Sequence, residues 1–244
     1  MYKYKTMLRQ DFQNALKDPM LLLITFGPLL LTLIVRYGFG PLSEWIASIS
    51  TFSLLSYSSF ITVFLMLLVP QLAGIAAGLL ILDERDEHLI GIYAVTPLMK
   101  NGYLAFRLIL PTFISIIMTA VFLLFSGVSQ YEPVNIGVLM LLVLETPILA
   151  MFLATFAANK VEGLAFSKII GLTLLGAVFA YFVPEPWQLI AGVFPTYWPA
   201  KLYLEGIADN QSASKIMIFF IVGLLLHLLL LQQMFKVFWK KIEQ

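Results

Sequence analysis

The sequence predicts an all-α polytopic membrane protein. It reads as six transmembrane helices with an amino-terminal interfacial helix, a short cytoplasmic helix after the second span, and short outer-leaflet helices between the fifth and sixth. Composition is the first observation behind this. Of 244 residues, 60% are hydrophobic and 12% charged, with a mean hydropathy of +0.92; soluble domains carry roughly 45–50% apolar and about 25% charged residues. The second is length, because six apolar runs approach or exceed the roughly 20 residues a helix needs to cross about 30 Å of hydrocarbon. The third is charge placement. With the amino terminus inside, twelve of the fifteen Lys and Arg fall on the cytoplasmic side and only Arg36, Lys201 and Lys215 fall outside, as the positive-inside rule requires.

Taken in order, residues 1–18 place Leu8, Phe12 and Leu16 at helical spacing between Lys3, Lys5, Arg9 and Lys17. This suits a helix lying in the headgroup region, the alternative being a solvated leader. The apolar run that follows is too long for a signal-peptide core and lacks a small-residue cleavage site, so it reads as the first span. The expected spans are 19–37, with a kink at Gly27-Pro28, then 52–82 with Pro70 inside it, 103–125, 134–158, 166–183 and 215–238. All belong to one transmembrane domain, 1–244. Arg36, near the outer end of the first span, is expected to snorkel to the headgroups.

Residues 83–97 break the apolar pattern hardest. Asp83, Glu84, Arg85, Asp86, Glu87 and His88 are consecutive, and such a run is too costly for hydrocarbon. Leu89, Ile92, Tyr93 and Thr96 then share one face at helical spacing, and Pro97 closes the stretch. The segment reads as a surface helix whose polar face is offered to a soluble partner. Residues 184–214 are different again, with Pro184, Pro186, Trp187, Pro195, Tyr197, Trp198 and Pro199 around two apolar pieces shorter than a span. Such lengths fit re-entrant or interfacial segments, and the aromatic residues suit the membrane–water boundary.

Catalytic and cofactor chemistry is sparse. No G-x-x-x-x-G-K-[ST] occurs, so the chain holds no P-loop for nucleotide phosphates. Gly74 and Gly78 lie inside an apolar helix at small-xxx-small spacing, which allows close helix approach; either a subunit interface or a neighbouring helix of the same chain would use it. The two histidines, His88 and His227, lie in different parts of the topology and suggest no metal site. The absence of cysteine excludes disulfides and thiolate ligands. The carboxylates of Asp83, Glu84, Asp86 and Glu87 have no nucleophile or metal beside them, so enzymatic activity is not expected. The basic residues form no patch for nucleic acid. Glu145 stands out, since an ionisable group in mid-span usually faces a cavity or a partner. With Phe152, Thr155 and Asn159 on approximately the same stripe, it is either part of a path for an amphiphilic substrate or a carboxyl bonded within the bundle near Pro147.

Three of these features together resemble the membrane-spanning subunits of ABC-2 type exporters, the type V exporter fold. They are the amphipathic amino terminus before six spans, the run Leu82-Asp83-Glu84-Arg85 leading to Thr96-Pro97-Leu98, and Phe194-Pro195-Thr196-Tyr197-Trp198-Pro199 before the last span. Asp86-Glu87-His88 departs from the Gly-Thr usual in that family after the acidic-Arg start. The compact size is similar to the fluoroquinolone-export permeases within it. The resemblance implies a permease paired with a second, identical or homologous permease and with two copies of an ATPase subunit that binds the ATP and magnesium; this chain would bind neither. It implies that Asp83, Glu84, Arg85, Asp86, Glu87, His88, Tyr93, Thr96 and Pro97 dock on the ATPase, and that small amphiphilic drugs, antibiotics, peptides or lipid-like molecules leave a bacterial cell through its plasma membrane. The competing readings are a secondary transporter or channel using Glu145, and a non-transporting scaffold or sensor subunit.

Overall fold

A computed structural model describes residues 19–89 and 99–242. Among the described residues the secondary structure is helical, as expected. The elements are α1 (Pro19–Ile49), a 3-10 turn (Leu54–Tyr57), α2 (Ser58–Asp86), α3 (Met99–Phe125), α4 (Val134–Phe156), α5 (Lys160–Leu172), α6 (Leu175–Phe182), a second 3-10 turn (Trp187–Val193), α7 (Tyr197–Gly206) and α8 (Ala213–Ile242). Six of the described helical stretches are long and apolar enough to cross a membrane, α5 and α6 together forming the fifth. The expected six-span class is therefore what the chain adopts.

Prolines do not end these helices. Pro28 and Pro41 lie inside α1, Pro70 inside α2, Pro111 inside α3 and Pro147 inside α4. In hydrocarbon the alternative to a helix is unsatisfied backbone, so an interior proline is tolerated where neighbouring groups compensate. The same pressure carries α1 through Gly38, Gly40 and Pro41 to Ile49.

α2 is the axis of the bundle. Its most apolar stretch is 72% buried, against 22% for α1 and 17% for α8, and it packs against α1, α3, α4 and α5. The peripheral helices leave residues such as Leu30, Ile34, Leu225 and Leu229 exposed, as suits surfaces that a bilayer covers. The seam between α2 and α4 depends on glycine. A Cβ on Gly74 would sit 2.8 Å from both the Leu149 Cβ and the Thr146 carbonyl oxygen, and one on Gly78 would sit 2.8 Å from the Leu153 Cβ. Helices in lipid associate through such close packing rather than through a hydrophobic drive. The Gly74/Gly78 face is thus filled by α4 of the same chain; it is not a surface open to a second subunit.

Two apolar clusters stack along the bundle. One joins Met66, Leu67, Phe122, Leu141, Tyr197 and Tyr203. The other joins Ala77, Ile81, Leu104, Ala150, Ala154 and Phe238. Beyond the first lies the end carrying Lys201; beyond the second lies the end carrying Asp86.

Candidate functional site

The charged run after the second apolar stretch does not form a free loop. α2 continues through it to Asp86, and its last turn points much of its charge inward. Glu84 is only 7% exposed. The Arg107 Nε donates to its Oε2 at 2.8 Å, the Arg107 Nη2 pairs with Oε1, and the Tyr103 hydroxyl also donates to Oε2. A bidentate guanidinium and a phenol thus hold the end of α2 to the first turns of α3, in the geometry that makes charge-assisted pairs strong.

Arg85 turns the other way. Its Nη1 donates to the Ala154 carbonyl at 2.9 Å and its Nη2 to the Ala157 carbonyl at 2.6 Å. α4 ends there, with Ala157 extended at ψ 140°, and the final carbonyls of a helix lack intrahelical donors. A cation beside them also complements the negative end of the helix dipole. Asp86 performs the reverse service for α5, accepting from the Lys160 backbone N–H at 2.9 Å, while Asp83 pairs with the Lys160 Nζ at 2.9 Å. Lys241, at the end of α8, donates to the Thr155 carbonyl at 2.9 Å.

Consecutive residues of one helical turn therefore clamp three neighbouring helix ends, and α8 reaches the same place. The expectation of a solvated acidic–basic loop is corrected for this turn: Glu84 is buried, and burial demands a partner for its charge, while Arg85 and the exposed Asp86 are tied to the backbone ends of α4 and α5. Glu87 and His88 are exposed, and they end the helix. The Glu87 N–H reaches back to the Asp83 carbonyl, and His88 adopts φ +59°, the left-handed turn that often follows a helix. Tyr93, Thr96, Pro97 and the amino-terminal segment 1–18 lie outside the described residues.

Glu145 is enclosed, at 1% exposure, and faces His227, at 0%. The His227 Nε2 lies 3.7 Å from the Glu145 Oε1, and the His227 Nδ1 is 2.7 Å from the Gly223 carbonyl. Among the described residues neither Glu145 oxygen has a hydrogen bond. The neighbouring Thr146 hydroxyl donates to the Ser115 hydroxyl at 2.9 Å.

The other residues of that expected stripe do not converge on Glu145. Phe152 packs its ring against Phe156 and edge-on to Phe166, and the Thr155 carbonyl accepts from Lys241. Asn159 is not on α4 at all: it caps α5, its Oδ1 accepting from the Glu162 N–H at 2.9 Å. The backbone after Phe156 is extended, which breaks the spacing the stripe needed. Arg36 is exposed beside Gly127. A groove of about 580 Å³ opens at the Lys201 end between the first turns of α4 and α8, lined by Val134, Gly137, Met140, Ile216, Met217 and Phe220, with Glu132 and Gln211 on its border.

The sequence reading gives Arg107 and Tyr103 no role, and does not pair His227 with Glu145. Two of them left a signal. Arg107 falls one turn inside the expected span 103–125, and His227 falls inside 215–238. A charge or imidazole at that depth calls for a partner, and the carboxylates at comparable depth were Glu84 and Glu145.

Six apolar spans around one buried axis define a polytopic membrane protein. The chain belongs to the family of Rv2686c-like fluoroquinolones export permease proteins, whose family model matches residues 11–235. It is 27% identical over 199 residues, 80% of this chain and 79% of theirs, to the fluoroquinolones export permease proteins Rv2686c and MT2760 of two Mycobacterium tuberculosis strains. No solved structure matches it.

Proposed function

We propose that this chain is the membrane-spanning subunit of an ABC exporter that moves fluoroquinolone-like amphiphilic drugs out of a bacterial cell, driven by a separate ATPase. The observation that carries this is the family match over nearly the whole chain, together with relatives whose names state that export. In this reading both termini and the Asp86 end are cytoplasmic, two permeases and two ATPase subunits assemble, and residues 83–97 with the amino-terminal helix meet the ATPase.

The junction refines how such a contact would work. Nucleotide can shift a permease only through contacts that differ between its states. Glu87, His88 and the residues after them would touch the ATPase, whereas Glu84, Arg85 and Asp86 would pass the displacement into α3, α4 and α5. The Met- and Phe-lined groove supports an amphiphilic cargo, since its volume and apolar walls are those of small-molecule sites. Glu145 with His227 is the candidate polar contact deeper along the path, reached only when α4 and α8 separate.

The test is purification from native membranes in mild detergent, followed by drug uptake into inside-out vesicles. A P-loop ATPase should copurify, and uptake of a fluorescent fluoroquinolone should require ATP hydrolysis. Full-speed uptake by the chain alone on an ion gradient would replace this reading with a secondary carrier working through Glu145.

A further inference from the structure

The fifth span is broken in its middle. α5 stops at Leu172 and α6 starts at Leu175. Across the break the backbone shifts to i→i−3 bonds: Thr173 N–H to the Ile170 carbonyl at 2.9 Å, Leu174 to Gly171 at 3.2 Å, Gly176 to Thr173 at 2.9 Å and Ala177 to Leu174 at 3.0 Å. Such a 3-10 stretch inside a helix often marks a hinge or strain. In a membrane it persists only where other protein groups cover it.

Two side chains cover it from opposite sides. From α2, Gln71, buried in mid-helix, donates through Nε2 to the Thr173 hydroxyl at 2.8 Å. That hydroxyl donates onward to the Ile170 carbonyl at 2.7 Å. From the residue that precedes α7, the Thr196 hydroxyl donates to the Thr173 carbonyl. Gly176 makes room for this, since a Cβ there would lie 2.5 Å from the Thr196 Oγ1 and 2.7 Å from the Tyr197 nitrogen. On the far side of α7, Gly223 of α8 does the same: a Cβ there would lie 2.8 Å from the Trp198 Cβ. The helix α7 is thus countersunk among α4, α6 and α8; its Tyr197 and Tyr203 share a buried cluster with Met66 and Leu67 of the axis helix, and a hydrogen-bonded link to that helix runs through Thr173 of the broken span.

We infer that Gln71, Thr173 and Thr196 are positioning residues for export, forming a joint through which movement of α2 sets the position of α7. This rests on the proposed function in that α2 is the helix the ATPase moves. The joint has a cause in elementary terms. α2 and α7 are not neighbours in sequence, and α7 sits in a glycine-lined slot clasped by the Lys201–Glu185 pair, so the hydrogen-bond link through Thr173 adds a directional tie to α2 that apolar packing does not supply. The Gln71 amide and the Thr196 hydroxyl both find their acceptors on Thr173.

The test uses the full permease–ATPase complex in vesicles, with Thr173→Val and Gln71→Met removing the link while keeping volume, and Thr173→Ser restoring the hydroxyl. Drug moved per ATP hydrolysed should fall about fivefold or more in each of the first two, the scale of one lost hydrogen bond between states. ATPase binding and the melting temperature should remain near wild type. Thr173→Ser should regain most of the ratio, and Gln71→Met with Thr173→Val should be no worse than either alone, as for partners in one interaction. An unchanged ratio in both single variants, or a Thr173→Ser as impaired as the valine, would overturn the inference.

A second measurement needs no ATPase and stands if the exporter reading fails. The chain has no cysteine, so spin labels at Leu55→Cys, in the turn that precedes α2, and Asp209→Cys, just after α7, report the distance between those ends without background. The distribution should broaden when Thr173→Val is added to the purified permease. The same narrow distribution in both would remove the joint.

Discussion

The two ends of the bundle both carry ion pairs, and they use charge differently. At the Asp86 end, charged side chains bind mostly to the backbone ends of other helices: Arg85 to the last carbonyls of α4, Asp86 to the first N–H of α5, Lys241 to the end of α4. At the Lys201 end, one lysine of 7% exposure gathers side chains instead, with its Nζ 2.8 Å from the Glu205 Oε1 and 3.1 Å from the Glu185 Oε1, and 5.5 Å from the centre of the Phe219 ring. Lys215 adds a longer contact to Glu185 at 3.6 Å. The first arrangement fixes how whole helices sit, because backbone carbonyls cannot change rotamer. The second holds a short segment in a slot, through carboxylates one of which remains half open to solvent. A rigid junction suits an end that receives force; a side-chain clasp suits an end that must open.

Removing one member of the buried pair should break the Asp86 end most severely. Glu84→Ala or Arg107→Ala breaks the pair, and the loss of one partner in a buried pair costs about 3–5 kcal/mol. Thermal melting in detergent should show a large drop for either, and a smaller one for Glu84→Met with Arg107→Met together. A double-variant drop equal to the sum of the two single-variant drops would mean the pair is not coupled.

Next in size, Gly78→Leu should wedge α2 from α4, since overpacking a close seam costs about 1–3 kcal/mol. Melting should fall while Gly38→Leu, with nothing within 4 Å of its Cβ position, stays near wild type. Arg85→Ala comes third. It removes two charged hydrogen bonds to the Ala154 and Ala157 carbonyls at the end of α4, each worth roughly 1.5–3 kcal/mol. Faster amide exchange at the end of α4 should report it.

The smallest effect sharpens the contrast by pH. The hydrogen bond and charge of Lys201, with a lesser contribution from Lys215, hold the Glu185 carboxyl below the usual carboxylate range. A depressed folded value stabilises the ionised, folded form above the ordinary pKa of about 4.3. That contribution is lost as pH falls through the lower folded value. Melting of the Lys201 end should therefore weaken in acid, and Glu185→Gln should be slightly less stable at neutral pH and lose this part of the pH dependence. A Glu185→Gln variant with the wild-type acid profile would show that the clasp contributes nothing.

The spans were legible because hydrocarbon imposes length and apolarity on every crossing helix, and Glu145 was legible because an acid in such a run is conspicuous. What could not be read was direction. Asp83 to Asp86 look solvated in one dimension, since their partners Tyr103, Arg107, Ala154, Ala157 and Lys160 lie on other helices. The fifth span was expected to start at Phe166 and the helix starts at Lys160, because Lys160 and Glu162 resemble a loop until Asp86 and Asn159 cap the helix there. Asn159 was placed on the Glu145 stripe by counting helical turns past Phe156, where the backbone had already become extended. His227 could have been paired with Glu145 by asking which other mid-span group could answer a carboxylate. The close approach at Gly74 and Gly78 was readable from spacing, but which helix filled it was not.

The most direct test of the account is the drug exported per ATP hydrolysed by vesicles carrying Arg85→Ala with Asp86→Ala. These changes leave Glu84, Arg107 and the exposed Glu87 and His88 in place. If the end of α2 passes force into α4 and α5, the ATPase should still bind and hydrolyse ATP while the ratio falls about tenfold, the order expected for losing several charged hydrogen bonds at once. A wild-type ratio with both side chains gone would contradict it.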